Sequence, residues 1–163
     1  MTQSSPSGPA VQDHYPEDVA HCYGCGHLNP LGLQLKTREE GDETVGRFAP
    51  RPEHTSVPGF VYGGLVASLI DCHSMATAAA ADMRRQGRAI GDGPAPRFVT
   101  AGLNVRYLKP TPMGVVLEIR GRVKEAGERK FVIETTVSAE GVITATGEVV
   151  AVRMPETMAR PAK

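Results

Sequence analysis

The sequence has no tryptophan, 5% aromatic residues, three cysteines and no net charge, and each scarcity excludes something. Eighteen Lys and Arg against eighteen Asp and Glu leave no overall field to hold a nucleic-acid backbone or an anionic membrane. Any phosphate contact must then come from a local patch, and neither nucleic acid nor membrane is expected as a partner. The odd set Cys22, Cys25 and Cys72 does not suit a secreted disulfide framework and fits a reducing cytoplasm. The first twenty residues lack a basic n-region and an apolar h-region, so no secretory signal is expected there. The stretch poorest in charge, Phe60 to Ala81, is broken by Asp71 and His73 and is a poor membrane span.

What remains suits one globular domain in 163 residues: a flexible arm over 1–20, a folded domain over 21–154 and a flexible tail over 155–163. Leu33, Leu35 and Thr37 alternate with polar neighbours, and Thr44 to Phe48 follows Glu40-Gly41-Asp42, which predicts a hairpin. Gly63 to Met83 holds six Ala and no Lys, Arg, Glu or Pro, the composition of a helix buried nearly all round. Period-two alternation then predicts strands over Phe98–Leu108, Val115–Lys124, Lys130–Ala139 and Val142–Val152. Their short connections predict consecutive antiparallel neighbours. One antiparallel sheet of about six strands with a single helix packs economically when the sheet curls around that helix. This is the α+β hotdog arrangement.

Asp71 is the only acidic residue between Glu53 and Asp82. A carboxylate in the middle of a buried helix is disfavoured unless it is hydrogen-bonded or protonated, and such breaks in pattern mark functional sites. Ser68 and Ser74, three residues to either side, are its expected partners. Crowding by apolar neighbours is expected to raise its proton affinity and suit it as a general base. His73 points to another side of the helix and reads as a core or interface histidine, and Cys72 as a small core residue.

Gly63-Gly64 at the helix start lets a ligand approach free backbone N–H groups, an oxyanion site. His21-Cys22-Tyr23-Gly24-Cys25-Gly26-His27 has the spacing of half a zinc knuckle, but the second half is missing, so a tight, redox-inert turn is the preferred reading and no metal site is expected. Arg106, Lys109, Arg129 and Lys130 fall near strand ends, where they could meet phosphates.

From about Cys22 to Val152 the chain resembles the hotdog acyl-CoA thioesterases of the phenylacetyl-CoA-thioesterase (PaaI-type) group. The resemblance rests on Cys22-Tyr23-Gly24-Cys25-Gly26, Asn29-Pro30-Leu31-Gly32-Leu33, the helix start from Gly63-Gly64 to Leu69-Ile70-Asp71, Val99-Thr100-Ala101 and Tyr107-Leu108-Lys109-Pro110-Thr111-Pro112. It implies hydrolysis of an acyl-CoA at sites shared between two subunits of a homodimer, possible in a dimer of dimers, with no cofactor. Asp71 would be nucleophile or general base, Gly63 the oxyanion donor and Thr100 the hydroxyl that orients water. The basic residues above would meet CoA phosphates. Tyr62 stands where the family usually has His, beside Gly64, and a phenol can donate a hydrogen bond but cannot act as a base near neutrality. His54 and Ser56 occupy the upstream loop where relatives often place Asn or Gln, and they complete the expected substrate-binding set. Two other readings stay open: a non-catalytic acyl-CoA-binding hotdog module, and a hydratase acting on an enoyl-CoA through an Asp/His pair.

Overall fold

The computed structural model describes residues 7–158. A hairpin of β1 (Thr37–Glu40) and β2 (Glu43–Phe48) precedes the single long helix, α1 (Gly63–Arg85), and four long strands follow. These are β3 (Phe98–Tyr107), β4 (Leu117–Ala126), β5 (Lys130–Ala139) and β6 (Val142–Arg153). All six strands form one antiparallel sheet in the order β1-β2-β4-β5-β6-β3. The sheet wraps α1, as the hotdog reading requires.

The helix forms where alanines and unbranched residues favour it, and Arg84 and Arg85 in its last turn complement the negative end of its dipole. By length and composition α1 could cross a membrane, but 72% of that stretch is buried inside the fold. Leu69, Ile70, Ala76, Ala79 and Met83 meet Ile119, Ile133, Val137 and Val149 from the sheet in one core. Small residues on α1 let the strands approach closely.

Three expectations are corrected. Consecutive pairing fails at β3, which is joined to β4 in sequence but pairs only with β6, while β4 lies between β2 and β5. The connection after Tyr107 crosses instead of turning back: Val61 N–H donates to Thr111 O at 2.8 Å, and Phe60 bridges Pro112. Its two prolines suit a crossing and not a hairpin. The predicted first strand begins late, because Leu33 and Leu35 are core residues of irregular backbone before Thr37.

The flexible arm is also corrected over residues 10–20, the call for residues 1–6 lying outside the described residues. Ala10, Val11, Gln12, Tyr15 and Ala20 are buried, with short 3-10 turns at Val11–His14 and Glu17–Val19. The Gln12 amide acts as a strand neighbour for β1, donating to Thr37 Oγ1 at 3.0 Å and accepting from Thr37 N–H at 2.8 Å. A polar residue satisfied in this way carries no hydrophobic period to read. Of the tail, Glu156–Met158 forms a 3-10 turn and the rest lies outside the described residues.

Candidate active site

Asp71 leaves α1 where the edge strand β3 passes. Its half-buried carboxylate accepts a hydrogen bond from the Thr100 hydroxyl. Burial raises its proton affinity above its ordinary value; the Thr100 hydrogen bond and the positive charge of Arg97 oppose that rise. The expected serine partners are not partners. Ser68 donates to Gly64 O at 2.9 Å and Ser74 to Ile70 O at 2.7 Å, since a helical serine finds its nearest acceptor one turn back. Ser74 also meets Thr135 at 2.8 Å.

The start of α1 is walled by two phenols. Tyr107 donates to Gly63 O at 2.7 Å, and the Tyr62 ring lies so close over Gly64 that a Cβ there would sit 2.4 Å from it. A side chain at 64 would have to push the exposed Tyr62 ring aside. Leu65 and Val66 N–H donate to Tyr62 O at 3.0 and 3.3 Å, which leaves Gly63 and Gly64 N–H as the free donors of this helix end among the described residues. Both tyrosines are more than half exposed, so this corner opens to solvent.

His73 confirms its reading as a core histidine. It is fully buried, 3.0 Å from the hydroxyls of both Thr37 and Thr44, and burial pushes its pKa down to about 4. It points away from Asp71, so the Asp/His pair of a hydratase does not assemble in this chain.

The remaining residues divide. Ser56 is exposed in the loop before α1, its N–H bound to Phe60 O at 2.9 Å. His54 is corrected: its ring is buried, packs on Phe48 at 5.5 Å between centroids, and accepts Arg51 N–H at 3.0 Å through Nδ1. It shapes the loop and presents no surface to a substrate. Lys109 is exposed just beyond Tyr107, within the crossing that passes the helix start. Arg106 is on the other face of β3 from Tyr107, lining a depression of about 700 Å³ with Arg120, Arg122, Glu134 and Glu148. Arg129 and Lys130 lie at the far end of α1, where Arg85 donates to Gly127 O and Glu128 O. Within one chain neither Arg106 nor this pair converges with Asp71 and Gly63.

One group was not foreseen. Cys72 brings its sulfur against Cys22 and Cys25, the three sulfurs lying within 4.8 Å of one another. Cys22 is on the half-exposed side, and Arg97, stacked on the Tyr15 ring at 4.7 Å, is nearby. The tight turn forms as expected, and the fold adds the helix cysteine Cys72 to it, making a three-thiol cluster beside the acid. His27 lies outside the group, its Nδ1 bound to Gln12 O at 2.8 Å. Fifty residues separate Cys22 from Cys72, so only the folded topology brings them together.

Comparison with known proteins decides the family. Residues 58–146, more than half the chain, match the thioesterase superfamily. The chain belongs to that superfamily. A thioesterase superfamily protein from Shewanella loihica is 47% identical, with a TM-score of 0.65 over 84% of this chain and 96% of that one. A Streptococcus mutans protein solved with acetyl-CoA bound shares the fold at 20% identity, with a TM-score of 0.60 over 78% of this chain and 96% of that one. Mouse acyl-coenzyme A thioesterase THEM4 is 30% identical over 96 residues, 59% of this chain. The chain spans 36% of the length of that relative.

Proposed function

We propose that this thioesterase-superfamily chain hydrolyses an acyl-CoA to the free acid and CoA. The observation that carries the reading is Asp71: a half-buried carboxylate in the middle of the core helix, held by one hydroxyl and, among the described residues, in no ion pair. Such a group can take a proton from water, or attack the carbonyl itself, while backbone N–H groups at a helix start hold the oxyanion. Water adds to the thioester carbon, its proton passes to Asp71, and the tetrahedral intermediate expels the CoA thiolate, which takes up a proton. Thr100 is a positioning residue, because its hydroxyl is engaged by the acid. Tyr62 and Tyr107 supply aromatic walls for the acyl group, and Lys109 is the basic residue best placed for a phosphate. The names of mouse THEM4 and the acetyl-CoA bound to the Streptococcus protein support this substrate class.

The site is shared between two chains. Gly63 and Asp71 are eight residues apart on α1, ~12 Å along its axis, whereas oxyanion donor and base must each lie within ~3 Å of one reacting group. Antiparallel pairing of two such helices about a twofold axis closes the gap and gives two equivalent sites. The free edge of β3, with Leu103 and Tyr107 exposed on it, is the surface offered for that homodimer. The outer sheet face around Arg106 is offered for a dimer of dimers. Three free thiols suit the reducing cytoplasm as its location.

Free thiol released from a panel of acyl-CoAs tests the activity. Tight binding without thiol release would favour the non-catalytic module. Mixing Asp71→Asn with Gly63→Val under conditions that exchange subunits tests the sharing: half the dimers become mixed with one intact site each, so about a quarter of wild-type activity returns. No recovery despite verified exchange would place both residues' action within one chain.

A further inference from the structure

The cysteine cluster has the geometry of a soft-metal site. In a tetrahedral zinc site with Zn–S near ~2.3 Å, neighbouring sulfurs lie ~3.8 Å apart. Cys22 and Cys72 are 3.7 Å apart, and no pair in the cluster exceeds 4.8 Å. Little movement would close three sulfurs on one ion.

The backbone around them is built to the same end. Gly26 N–H closes a tight turn on Cys22 O at 2.7 Å. This wraps a Cys-x-x-Cys loop so that both sulfurs point to one side. A Cβ at Gly24 would sit 2.2 Å from the Cys72 sulfur, so the glycine is what admits the helix cysteine to the group.

Charge and access agree. Three thiolates and a divalent ion carry one net negative charge, and the Arg97 guanidinium, interacting electrostatically with all three sulfurs, offsets it. Cys22 is half-buried, which leaves a path for the ion. An all-sulfur donor set excludes magnesium and calcium and suits soft or borderline ions such as zinc, cadmium and copper(I), and the sulfur spacing fits zinc. No His, Asp or Glu among the described residues joins the group, so the fourth position falls to water or an external ligand.

We propose that Cys22, Cys25 and Cys72 bind one zinc ion per chain, fastening the Cys22–Gly26 loop to α1 next to Asp71. Thioester hydrolysis needs no metal, so the site is a clamp beside the reaction centre, and it stands whether or not the chain is a hydrolase.

The test uses the full chain, reduced and freed of metal, with three titratable thiols verified. Zinc is titrated against a chromophoric chelator, and cadmium is followed by its sulfur-to-metal charge-transfer absorption. One ion per chain is expected, with a charge-transfer band and a higher thermal midpoint in the loaded form. Cys22→Ser and Cys72→Ala should each weaken binding at least ~100-fold, and Gly24→Ala should weaken it by displacing Cys72. Cys22 is half-exposed, so its variant serves if Cys72→Ala fails to fold. Absence of stoichiometric binding by the reduced protein overturns the proposal. So does binding that survives Cys22→Ser unchanged, because the ion would then sit elsewhere.

Discussion

Asp71 and Asp82 lie on the same helix, about three turns apart, and their surroundings differ completely. The Asp82 side chain is wholly buried, yet Arg85 reaches one oxygen at 2.6 Å while Arg153 and Gln86 reach the other, Gln86 at 3.0 Å. Asp71 keeps some exposure, and among the described residues it has one hydrogen-bonding hydroxyl and no ion pair, with Arg97 acting only through its field. A carboxylate with two guanidiniums ties α1 to β6 and is spent on structure. One left out of any ion pair keeps the capacity to take a proton or attack a carbonyl. Among acids in one helix, the pattern of partners separates the roles more clearly than burial does.

The largest expected effect comes from breaking the first half of that contrast. Asp71→Asn should lower turnover at least ~100-fold, the scale of a lost base or nucleophile. Its thermal midpoint should change little, because the change removes a partly buried charge that forms no ion pair among the described residues and feels only the field of Arg97. Near-normal thiol release from this variant would remove Asp71 from the mechanism.

Asp82→Asn should do the reverse. Activity per folded molecule should hold while stability drops by about 2 kcal/mol, the worth of charged hydrogen bonds. The loss stays moderate because Arg85 and Arg153 are each more than a third exposed and can turn to water. Urea midpoints together with turnover numbers check it, and a catalytic loss without a stability loss would erase the distinction between the two acids.

Much of this arrangement was legible in the sequence, for physical reasons that also mark where reading stopped. Alanine content and missing charge placed α1 within two residues, and strict alternation placed β5 and the start of β6, because these are local signals. Asp71 stood out as a polar break in an apolar run. The place of β3 beside β6 was not legible, since it follows from a crossing and not from the length of the connection. Nor was Asp82 recognisable as structural: Arg153 is 71 residues away. The sulfur cluster and the burial of Gln12 were hidden in the same way, each depending on contacts between distant segments. Arg106, Arg129 and Lys130 looked suitable by charge alone, and charge says nothing about which face or end of the sheet a residue occupies.

Thr100→Val sharpens the comparison by removing the one hydrogen-bond partner Asp71 has among the described residues. A hydrogen bond to a charged group is worth about 1.5 kcal/mol, so roughly a tenfold fall in turnover is expected, with KM little changed. Pre-steady-state thiol release would locate the loss in the chemical step. A fall as deep as that of Asp71→Asn, in a folded variant, would make Thr100 more than a positioning residue.

The smallest effect tests a polar group that has neither a charge partner nor a reaction to serve. Because His54 Nδ1 accepts the Arg51 N–H, the neutral ring carries its proton on Nε2, which is buried without an acceptor among the described residues. Burial, with the nearby Arg51 charge, holds its pKa below the ordinary value, and protonation would put a hydrogen where the Arg51 N–H now points. The folded state therefore resists a proton that the unfolded chain accepts near pH ~6.5. By linkage, this contribution to stability is fully present above that pH and is lost as the pH falls through the histidine range. His54→Phe keeps the packing on Phe48 and removes the titrating group, so its urea midpoint should depend less on pH between about 7.5 and 5.5 than that of the wild type. The KM for acyl-CoA should be unchanged, since a ring turned into the protein touches no substrate. An equal pH slope in the two proteins would assign the acid sensitivity elsewhere, and a raised KM would return His54 to the binding site.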